Sequence, residues 1–493
     1  MSIAKKQIDK NIRVRIAPSP TGWFHIGTAR AALFNYLFAK KNKGKFILRI
    51  EDTDLERSKP EYEKDIIEGL NWLGIEWDEG VESRIENQES TGKYGPYRQS
   101  ERTDTYKNYL QQLLDKNLVY FCPCSEKTLE QEKNEQIKNK QSLKHICPFR
   151  NGGTDKGIIR FRTPDTGQTK FTDLIRRELI FENNLIGDFS LAKALNIPLY
   201  NFAVVIDDAT MQISHVIRGE DHISNTPKQI LLQQALGLPT PQYAHLPLIL
   251  GPDKSKLSKR HGATSLKDYR DQGYLSEALI NFMVLLGWNP GTEQEIFSLK
   301  DLEKEFSLER VGKAGAIFNV ERLDWINGFY IRQMNIEKLT EKCLPYLENL
   351  YGQTIYDLYD KKSLEKIIAL EQERIKKLSE IGEKTNYFFT DKLEYDPTLL
   401  KWKNMTDEEL KESLQILCDV IEKIKEKNFT TEKLKEIIMP EAEKTGDRGR
   451  LLWPLRVALT GLRASPDPFS IIAVLNRNKT LQRLKEAITK ISK

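Results

Sequence analysis

Short apolar runs alternate with longer amphipathic segments through the first 73 residues of the chain. The pattern predicts a strand at Arg13–Ile16, a helix at Ala29–Lys41, a second strand at Lys45–Ile50 and a second helix at Pro60–Leu73. Strands that alternate with helices in this way indicate a parallel sheet, so the predicted fold class is α/β. The turn at residues 17–28 is rich in Pro, Ser and Gly and follows the first strand, where an open α/β sheet binds its ligand.

The middle of the chain, residues 82–200, has a different composition that is rich in Lys, Glu and Gln. Short strands are predicted there at Gly157–Arg162 and Leu179–Phe181. The parallel-sheet pattern then resumes, with predicted strands at Phe202–Ile206 and Met211–Ile217 and a helix at Thr226–Leu236. We therefore expect an α+β insertion that splits one Rossmann-like nucleotide-binding fold into two halves.

After about Gly328 the pattern becomes almost wholly helical. Thr406 and Glu409 fit a capping box, and apolar residues then recur on one helical face: Leu410, Leu414, Leu417, Ile421 and Ile424. The last predicted helix repeats this spacing with Leu481, Leu484, Ile488 and Ile491. Its basic residues are expected to surround that apolar face: Arg477, Lys479, Arg483, Lys485 and Lys490. The sequence thus predicts an all-α C-terminal domain.

Composition narrows the class of protein. The chain has 493 residues, 39% of them apolar and 30% charged, which predicts a folded protein of roughly three to five domains. No segment reaches the roughly 20 apolar residues of a membrane span, and the Lys-rich residues 1–13 lack the apolar part of a signal peptide. Five scattered cysteines argue against a disulfide framework, so we expect a cytoplasmic protein without membrane attachment.

The net charge of +5 is close to balance, but its distribution is uneven. Residues 441–493 hold 11 Lys and Arg against 5 Asp and Glu. A basic C-terminal segment fits a polyanionic partner, and it fits a solvated helix surface as well.

Residues 17–28, which read APSPTGWFHIGT, carry the sharpest chemical signal. A helix that begins near Thr28 would direct unpaired backbone N–H groups and its positive dipole end into the crevice, which suits phosphate. Gly22 and Gly27 would permit the close approach of a nucleotide, and His25 could donate to phosphate oxygens. Taken alone, a histidine near glycine is more often a structural residue.

Residues 256–262, which read KLSKRHG, form a second candidate site. Taken alone, such a basic loop is usually exposed and solvated. Its lysines and arginine could also neutralise the charge that develops on a triphosphate during nucleotidyl transfer, and no Walker A sequence is present for that role.

Together the two runs resemble the HIGH and KMSKS signatures of class I aminoacyl-tRNA synthetases. Other segments resemble those of the bacterial-type glutamyl-tRNA synthetases: RIEDTD at residues 49–54, YRQS at 97–100, YNFAVVIDD at 200–208 and HVIRGEDH at 215–222. The resemblance is strong to about residue 330, and beyond it rests on architecture and length.

The resemblance implies a reaction in which glutamate attacks the α-phosphate of ATP, bound with Mg²⁺, and pyrophosphate leaves. The resulting glutamyl-adenylate would then pass its glutamyl group to the 3′-terminal adenosine of tRNA(Glu). The expected catalytic residues are His25, Lys256 and Lys259, and the expected ATP-binding residues are Pro18, His25, Gly27, Thr28, Lys256, Ser258 and Lys259. Thr28 stands where the signature has a second histidine, a variant that is familiar in glutamyl enzymes.

The resemblance also assigns glutamate recognition. Arg15 and Arg218, each at the end of a predicted strand, match the family's glutamate-binding arginines, and Arg218 is expected to bind the side-chain carboxylate. Ser19, Glu51 and Tyr200 match other positions of the pocket, with Glu51 expected at the α-ammonium group. Without the family, Arg15 and Glu51 could form an ordinary ion pair between strand ends.

Three cysteines in the predicted insertion, Cys122, Cys124 and Cys147, resemble the zinc site of many bacterial glutamyl enzymes. The family usually has its fourth ligand two residues after the third cysteine, and this chain has Phe149 there. His145 is the candidate fourth ligand, and three thiols without metal are the alternative. Cys343 and Cys418 lie in helical patterns and are expected to be packing residues.

The resemblance gives an expected domain order. Residues 1–84 and 200–250 would form the catalytic fold, 85–199 the acceptor-binding insertion, 251–334 the KMSKS loop with a helical stem-contact domain, and 335–493 the anticodon-binding domain. The expected partners are tRNA(Glu), glutamate and ATP, and the expected state is a monomer. Whether tRNA(Gln) is also charged stays open.

Three other classes of protein share part of this pattern. A tRNA-modifying glutamyl transferase has the same catalytic fold but no anticodon-binding domain. Glutaminyl enzymes, with the archaeal and eukaryotic glutamyl group, have a C-terminal β-barrel, which the Leu and Ile periodicity argues against. A non-catalytic tRNA-binding protein would not require the residues that contact the triphosphate, His25, Lys256 and Lys259.

Overall fold

Residues 12–81, 90–352 and 355–491 are described by the computed structural model, and they fall into two units. The first unit includes the described residues up to 270 together with 276–323. The second includes residues 271–275 and the described residues from 324 onward. Among the described residues, no helix has both the length and the apolar character that crossing a membrane requires.

A four-stranded sheet begins the first unit. Its strands lie in the order β1–β2–β3–β4, at Arg13–Ile16, Lys45–Leu48, Glu79–Val81 and Ser90–Thr91. The first three strands are parallel, and the crossovers are α1 (Ile26–Lys41) and α2 (Pro60–Trp72). These predicted elements are confirmed, although α1 begins at Ile26 because His25 caps it. The predicted domain boundary at residues 84/85 lies outside the described residues.

A second sheet lies in the order β11–β12–β7–β8, at His215–Gly219, Gln242–Leu246, Gln168–Asp173 and Arg177–Glu182. β11, β12 and β7 pair in parallel, and β8 is antiparallel to β7. The backbone N–H of Ser214 donates to the Arg13 carbonyl at 2.9 Å, so β11 starts beside β1. The carboxyl ends of β1 and β11 therefore flank one crevice, the position at which open α/β sheets bind ligands.

The segment predicted as an insertion contributes to two sheets. Its β7–β8 hairpin extends the second parallel sheet, as described above. The rest forms an antiparallel sheet in the order β10–β9–β6–β5, at Ile197–Pro198, Phe189–Ala194, Ile158–Phe161 and Val119–Cys122. Its helices are α3 (Thr103–Asp115), α4 (Glu126–Lys138) and α5 (Asn183–Ile186). The strands predicted near residues 157–162 and 179–181 are confirmed.

The strand predicted at Phe202–Ile206 is wrong, because these residues lie within helix α6 (Tyr200–Thr210). Every residue from Phe202 to Asp208 is buried. A helix that is buried on all sides has no amphipathic period, so a short apolar run cannot be distinguished from a buried strand. The later prediction at 211–217 is confirmed in part, since a turn precedes β11.

The remainder of the first unit is mainly helical. Its elements are α7 (Thr226–Leu236), β13 (Ile249–Leu250), α8 (Leu266–Asp271), α9 (Ser276–Leu285), α10 (Leu299–Glu305) and β14 (Ala316–Ile317). β13 pairs in parallel with β14. The predicted helix at 226–236 is confirmed without any change of its ends.

The described part of the second unit contains helices and no strand. Apart from residues 271–275, it begins within α11 (Val320–Gln333) and continues through α12 (Ile336–Tyr351), α13 (Ile355–Leu358), α14 (Lys361–Glu371), α15 (Ile381–Phe389), α16 (Asp407–Lys423), α17 (Thr431–Lys444), α18 (Gly449–Thr460) and α19 (Pro468–Ile491). The capping box of Thr406 and Glu409 starts α16, and the predicted apolar face of α16 is buried. Cys343 and Cys418 are buried, as expected for packing residues, and Cys418 belongs to the apolar core of this unit.

The sequence pattern predicts that Arg483 in α19 is a solvated charge, but the structure buries it. Its side chain is 1% exposed and donates to the backbone carbonyls of Leu459, Tyr387 and Thr390. Burial lowers the pKa of Arg483 to about 10. A periodicity argument places residues around a helix but does not show which carbonyl groups the neighbouring helices leave unpaired.

Candidate active site

A cavity of about 1040 Å³ opens at the carboxyl ends of β1 and β11. Ten of the predicted ATP-binding and glutamate-binding residues line it: Arg15, Pro18, Ser19, His25, Gly27, Thr28, Glu51, Tyr200, Arg218 and Lys256. The other two, Ser258 and Lys259, follow in the next turn of the chain and do not line the cavity. The structure therefore brings the two signature runs and the proposed glutamate residues to one place.

His25 occupies the N-cap position of α1. Its Nδ1 atom accepts a hydrogen bond from the Gly27 backbone N–H at 3.0 Å. Burial, and then the positive charge of Lys256, hold the pKa of His25 below 6.5, so the ring is neutral near pH 7. Because Nδ1 is the acceptor, Nε2 carries the proton and is the donor that the ring can offer a ligand.

The expectation that the first turn of α1 offers unpaired backbone N–H groups is wrong for three of them. The Ile26 N–H donates to the Thr264 carbonyl, the Gly27 N–H to His25, and the Thr28 N–H to the His25 carbonyl. What remains for an anion is the positive end of the helix dipole and the Nε2–H of His25. Gly27 lines the cavity, and a Cβ there would lie 3.1 Å from His25 Nδ1, so glycine avoids crowding the atom that caps the helix.

The KMSKS-like loop is held at its base. Lys256 lines the cavity, and its Nζ lies 2.9 Å from the Asp221 carboxylate. Burial acts to raise the pKa of Asp221, but the hydrogen bond from Lys256 holds this pKa below its usual value. Ser258 caps a short 3₁₀ turn and forms a capping box with His261. Lys259 is exposed, and its ammonium has no partner among the described residues.

Arg15 is paired with Asp208 of α6, so the alternative pairing of Arg15 with Glu51 is wrong. One edge of the guanidinium is used, with Nε 3.0 Å and Nη2 3.2 Å from the two Asp208 oxygens. Glu51 pairs instead with Arg49, whose other edge donates to Asp208 at 2.8 Å. These four side chains form a buried network of two positive and two negative charges beside the cavity.

The pKa values of Asp208 and Glu51 depend on their burial and on the charges of the neighbouring arginines. Arg15 and Arg49 hold the pKa of Asp208 below its usual value, although burial acts in the opposite direction. Burial raises the pKa of Glu51, and the charge of Arg49 partly offsets this. One Glu51 oxygen accepts from Arg49, and no donor among the described residues reaches the other. Asp208 and Arg49 lie within the quoted motifs, but sequence reasoning assigned them no role.

Arg218, at the end of β11, differs from Arg15 in its partners. Its side chain is buried, and it donates to three neutral acceptors: His245 Nε2 at 3.3 Å, the Tyr200 hydroxyl at 3.4 Å and the Thr226 hydroxyl at 2.8 Å. No carboxylate among the described residues lies within 4.0 Å of this guanidinium. Three of its five N–H donors are thus used, and its charge remains unbalanced.

Tyr200 and His222 complete this end of the cavity. The Tyr200 hydroxyl lies 3.1 Å from His222 Nδ1. Burial, and then the charge of Arg218, lower the pKa of His222 to about 4. The ring is therefore neutral at physiological pH, so it adds no charge beside Arg218.

A cluster of four possible metal ligands lies away from the cavity, in the antiparallel part of the first unit. It consists of Cys122, Cys124, His145 and Cys147, whose ligand atoms all lie within 4.8 Å of one another. Cys122 Sγ is 3.5 Å from His145 Nε2, and Cys124 Sγ is 3.9 Å from Cys147 Sγ. Glu132 of α4, which sequence reasoning missed, contacts His145 Nδ1 and accepts from the Ile146 backbone N–H at 2.8 Å.

The fold and the two signature runs define a class I aminoacyl-tRNA synthetase. Residues 11–325 match the family model described as "tRNA synthetases class I (E and Q), catalytic domain", and residues 338–488 match the "Anticodon binding domain" model. The chain is 44% identical to the glutamate–tRNA ligase of Carboxydothermus hydrogenoformans, over 96% of this chain and 99% of that protein. It is 46% identical to glutamate–tRNA ligase 1 of Caldicellulosiruptor saccharolyticus, over 96% and 98% of the two chains. The chain belongs to the glutamate–tRNA ligase family.

Solved structures agree with this assignment. The crystal structure of a glutamate tRNA ligase from Elizabethkingia meningosepticum, in complex with its amino acid, matches with a TM-score of 0.84. The two chains are 34% identical over 97% of this chain and 99% of the other. The match of residues 338–488 to an anticodon-binding domain argues against a tRNA-modifying transferase that lacks one. The described helices of the second unit likewise disagree with a C-terminal β-barrel.

Proposed function

We propose that the cavity activates L-glutamate with ATP and transfers the glutamyl group to the 3′-terminal adenosine of tRNA(Glu). The observation that carries this proposal is the surroundings of Arg218, which lines the cavity with only neutral partners. A buried cation without a carboxylate is unfavourable, because it has lost water without gaining an anion. The side-chain carboxylate of glutamate supplies that anion and leaves Arg218 paired on binding.

The α-amino acid end of glutamate fits the other side of the cavity. The two positive and two negative charges of Arg15, Arg49, Glu51 and Asp208 complement a group that carries one ammonium and one carboxylate. In the proposed complex the free oxygen of Glu51 accepts from the α-ammonium group. Arg15 and Ser19, which both line the cavity, would face the α-carboxylate.

ATP, which enters as its Mg²⁺ complex, is proposed to lie along the two signature runs. The Nε2–H of His25 donates to a phosphate oxygen, and Gly27 leaves room for the nucleotide. Lys256 contributes charge at the cavity wall. Lys259, which has no partner among the described residues, is available to contact the phosphates in the transition state.

We also propose that the Cys122–Cys124–His145–Cys147 cluster binds zinc. Tetrahedral zinc with bonds of about 2.3 Å to sulfur and about 2.0 Å to nitrogen separates two sulfurs by about 3.8 Å, and a sulfur from a nitrogen by about 3.5 Å. The distances of 3.9 Å and 3.5 Å are close to these values, and all four ligand atoms lie within 4.8 Å of one another. Glu132 would hold the Nδ1 proton of His145, so that Nε2 binds the metal.

Metal analysis of the purified protein tests the zinc proposal. One equivalent of zinc is expected in the wild type, and less than half of that in Cys124→Ser. Cys343→Ser is the matched control, because Cys343 is equally a free cysteine but lies buried in α12, outside the cluster. A metal content that is unaffected by Cys124→Ser, or absent from the wild type, would contradict the proposal.

The tRNA is proposed to contact both units. The antiparallel sheet and the zinc cluster would receive the acceptor end, and the helices that match an anticodon-binding domain would receive the anticodon. Because phosphate contacts release counterions, the affinity for tRNA should fall steeply with salt. Charging of tRNA(Gln) and a monomeric state are two further points of this proposal. Charging of purified tRNAs tests the first, and sedimentation equilibrium tests the second.

The deciding experiment measures ATP-dependent attachment of labelled glutamate, and separately of glutamine, to unfractionated bacterial tRNA. We expect glutamate to be attached and glutamine to be rejected. Arg218→Ala should raise the KM for glutamate by about 100-fold or more, because a buried charge-assisted pair is lost. Absence of charging by a folded, ATP-binding wild type would favour a non-catalytic tRNA-binding protein instead.

A further inference from the structure

A fully buried pair of side chains, Asp173 and His245, lies behind Arg218. Asp173 ends β7 and His245 lies in β12, the adjacent parallel strand. Asp173 Oδ2 is 2.7 Å from His245 Nδ1, and both side chains are 0% exposed. A carboxylate and an imidazole so far from water need a structural or functional reason, because an ordinary apolar pair would fill the same space at lower cost.

The surroundings of Asp173 determine the tautomer of His245. Asp173 accepts backbone N–H groups from Ile175 at 2.9 Å, Arg176 at 2.7 Å and His245 itself at 3.1 Å. Burial acts to raise the pKa of Asp173, but the hydrogen bonds from His245 and these N–H groups hold this pKa below its usual value. The Asp173 carboxylate is therefore ionised. A carboxylate can only accept, so the proton of the neutral imidazole lies on Nδ1 and Nε2 is left as an acceptor.

The remaining acceptor of His245, its Nε2 atom, faces Arg218 and also lies 3.1 Å from the Thr226 hydroxyl. His245 Nε2 lies 3.3 Å from Arg218 Nε, and the Thr226 hydroxyl accepts from Arg218 Nη2 at 2.8 Å. Tyr243, whose ring lies 5.5 Å from the Arg218 guanidinium carbon, packs parallel to the His245 ring. A long arginine side chain is therefore held on its Nε edge, and the unused N–H donors of Nη1 and Nη2 are free to bind a ligand.

We propose that His245, oriented by Asp173, is a positioning residue that fixes the Arg218 guanidinium in the direction in which it binds the side-chain carboxylate of glutamate. This inference rests on the proposed role of Arg218 in glutamate binding. Preorganisation matters here because a two-point interaction with a carboxylate requires the plane of the guanidinium to be set before the ligand arrives. The family motifs contain neither Asp173 nor His245.

Two substitutions of His245 separate its two contacts. The amide of His245→Asn reaches the position of Nδ1 and keeps a contact with Asp173, but it cannot reach Arg218. The amide oxygen of His245→Gln reaches the position of Nε2 and keeps an acceptor for Arg218. ATP–pyrophosphate exchange in the presence of tRNA gives the KM for glutamate and the KM for ATP, and thermal unfolding checks each variant.

We expect His245→Asn to raise the KM for glutamate by about 10- to 100-fold, the value of one hydrogen bond to a charged group, with the KM for ATP unchanged. His245→Gln should stay within about threefold of the wild type. In an Arg218→Ala background His245→Asn should add little, because a residue that acts through Arg218 has nothing left to position. Equal KM values for the two His245 variants, or additive effects with Arg218→Ala, would overturn the inference.

A measurement on the unsubstituted protein covers the case in which a His245 variant does not fold. In wild-type protein labelled with ¹⁵N-histidine, the Nε2 of one buried histidine should resonate as an unprotonated ring nitrogen, and its Nδ1 as a protonated one. A protonated Nε2 at His245 would refute the inference. If Arg218→Ala does not change the KM for glutamate, the proposed function fails; if only the His245 variants are without effect, the positioning role fails alone.

Discussion

Replacing Asp208 with Asn removes the charge that holds two buried guanidinium groups beside the cavity. Asp208 accepts three hydrogen bonds, from Arg15 Nε at 3.0 Å, Arg15 Nη2 at 3.2 Å and Arg49 Nη1 at 2.8 Å. The amide would keep one acceptor and turn an N–H group toward a cation. Arg49 would keep Glu51 and the more distant Asp207, whose carboxylate is 3.8 Å from Arg49 Nε and is also paired with Arg102, whereas Arg15 would lose the carboxylate that pairs with it.

The size of the effect follows from that unpaired charge. Removing one partner of a buried ion pair costs about 3–5 kcal/mol, and we expect a loss of about 3 kcal/mol or more in the free energy of unfolding of the first unit. The pKa of Asp208 is lowered in the folded protein, so its contribution is present above the ordinary value of 3.8 and is lost as the pH falls through the folded pKa. The difference between variant and wild type should therefore be constant from about pH 6 to pH 8.

Denaturant unfolding at pH 7 measures the loss, and hydrogen exchange read by mass spectrometry assigns each transition to its unit. Asp207→Asn is the matched control. Asp207 is the preceding residue of the same buried helix, but it pairs with Arg102 at 2.6 Å and accepts from Tyr106 and Gln99 instead of Arg15. Both variants should be destabilised. Only Asp208→Asn should also raise the KM for glutamate, by about tenfold, because Asp208 holds Arg15 and Arg15 lines the cavity.

Two results would refute this reasoning. A free energy of unfolding unchanged in Asp208→Asn would show that the network does not depend on its negative charge. An equal rise of the KM for glutamate in Asp207→Asn and Asp208→Asn would mean that loss of stability, rather than the position of Arg15, weakens glutamate binding.

Three further substitutions test other parts of the molecule. His25→Asn keeps a cap for α1 but loses the Nε2–H donor, so kcat should fall by about 100-fold with little change in melting temperature, as exchange kinetics and calorimetry would show. Lys259→Ala should lower kcat in the exchange assay and leave the KM for glutamate within about twofold, since its contact is made in the transition state. Arg483→Met should destabilise the second unit by about 2–4 kcal/mol in denaturant unfolding, because three carbonyl groups lose their donor.

The position of the cavity could be predicted from the sequence, since the carboxyl ends of parallel strands and the turns that follow them meet at one edge of a sheet. Arg15 and Arg218 both end such strands, and the structure brings them to one cavity. Helix α6 could not be predicted in the same way. Its apolar residues are buried on every side, so the pattern shows burial but neither a period of two nor one of 3.6.

The partners of the functional side chains could not be predicted because they depend on register and on packing between distant segments. Arg15 and Asp208 are 193 residues apart, and Asp173 and His245 are 72 residues apart. An ion pair between Arg15 and Glu51 is consistent with the sequence, because the two residues lie near the ends of adjacent strands. In the folded chain, Asp208 of α6 pairs with Arg15 and with Arg49 instead. Glu132 was missed for the same reason, since only the folded chain brings α4 against His145.

Two of the arginines that line the cavity, Arg15 and Arg218, differ in a way that suits one amino acid. Arg15 belongs to a network in which positive and negative charges are equal, and the α-amino acid end of any substrate is likewise neutral overall. Arg218 has three neutral partners and retains its whole charge for the ligand. In the proposed complex, glutamate balances that charge, whereas glutamine would place a neutral amide against a buried, unpaired guanidinium. Discrimination against glutamine therefore follows from the absence of an acidic neighbour of Arg218 among the described residues, and an acidic residue beside it would remove that discrimination.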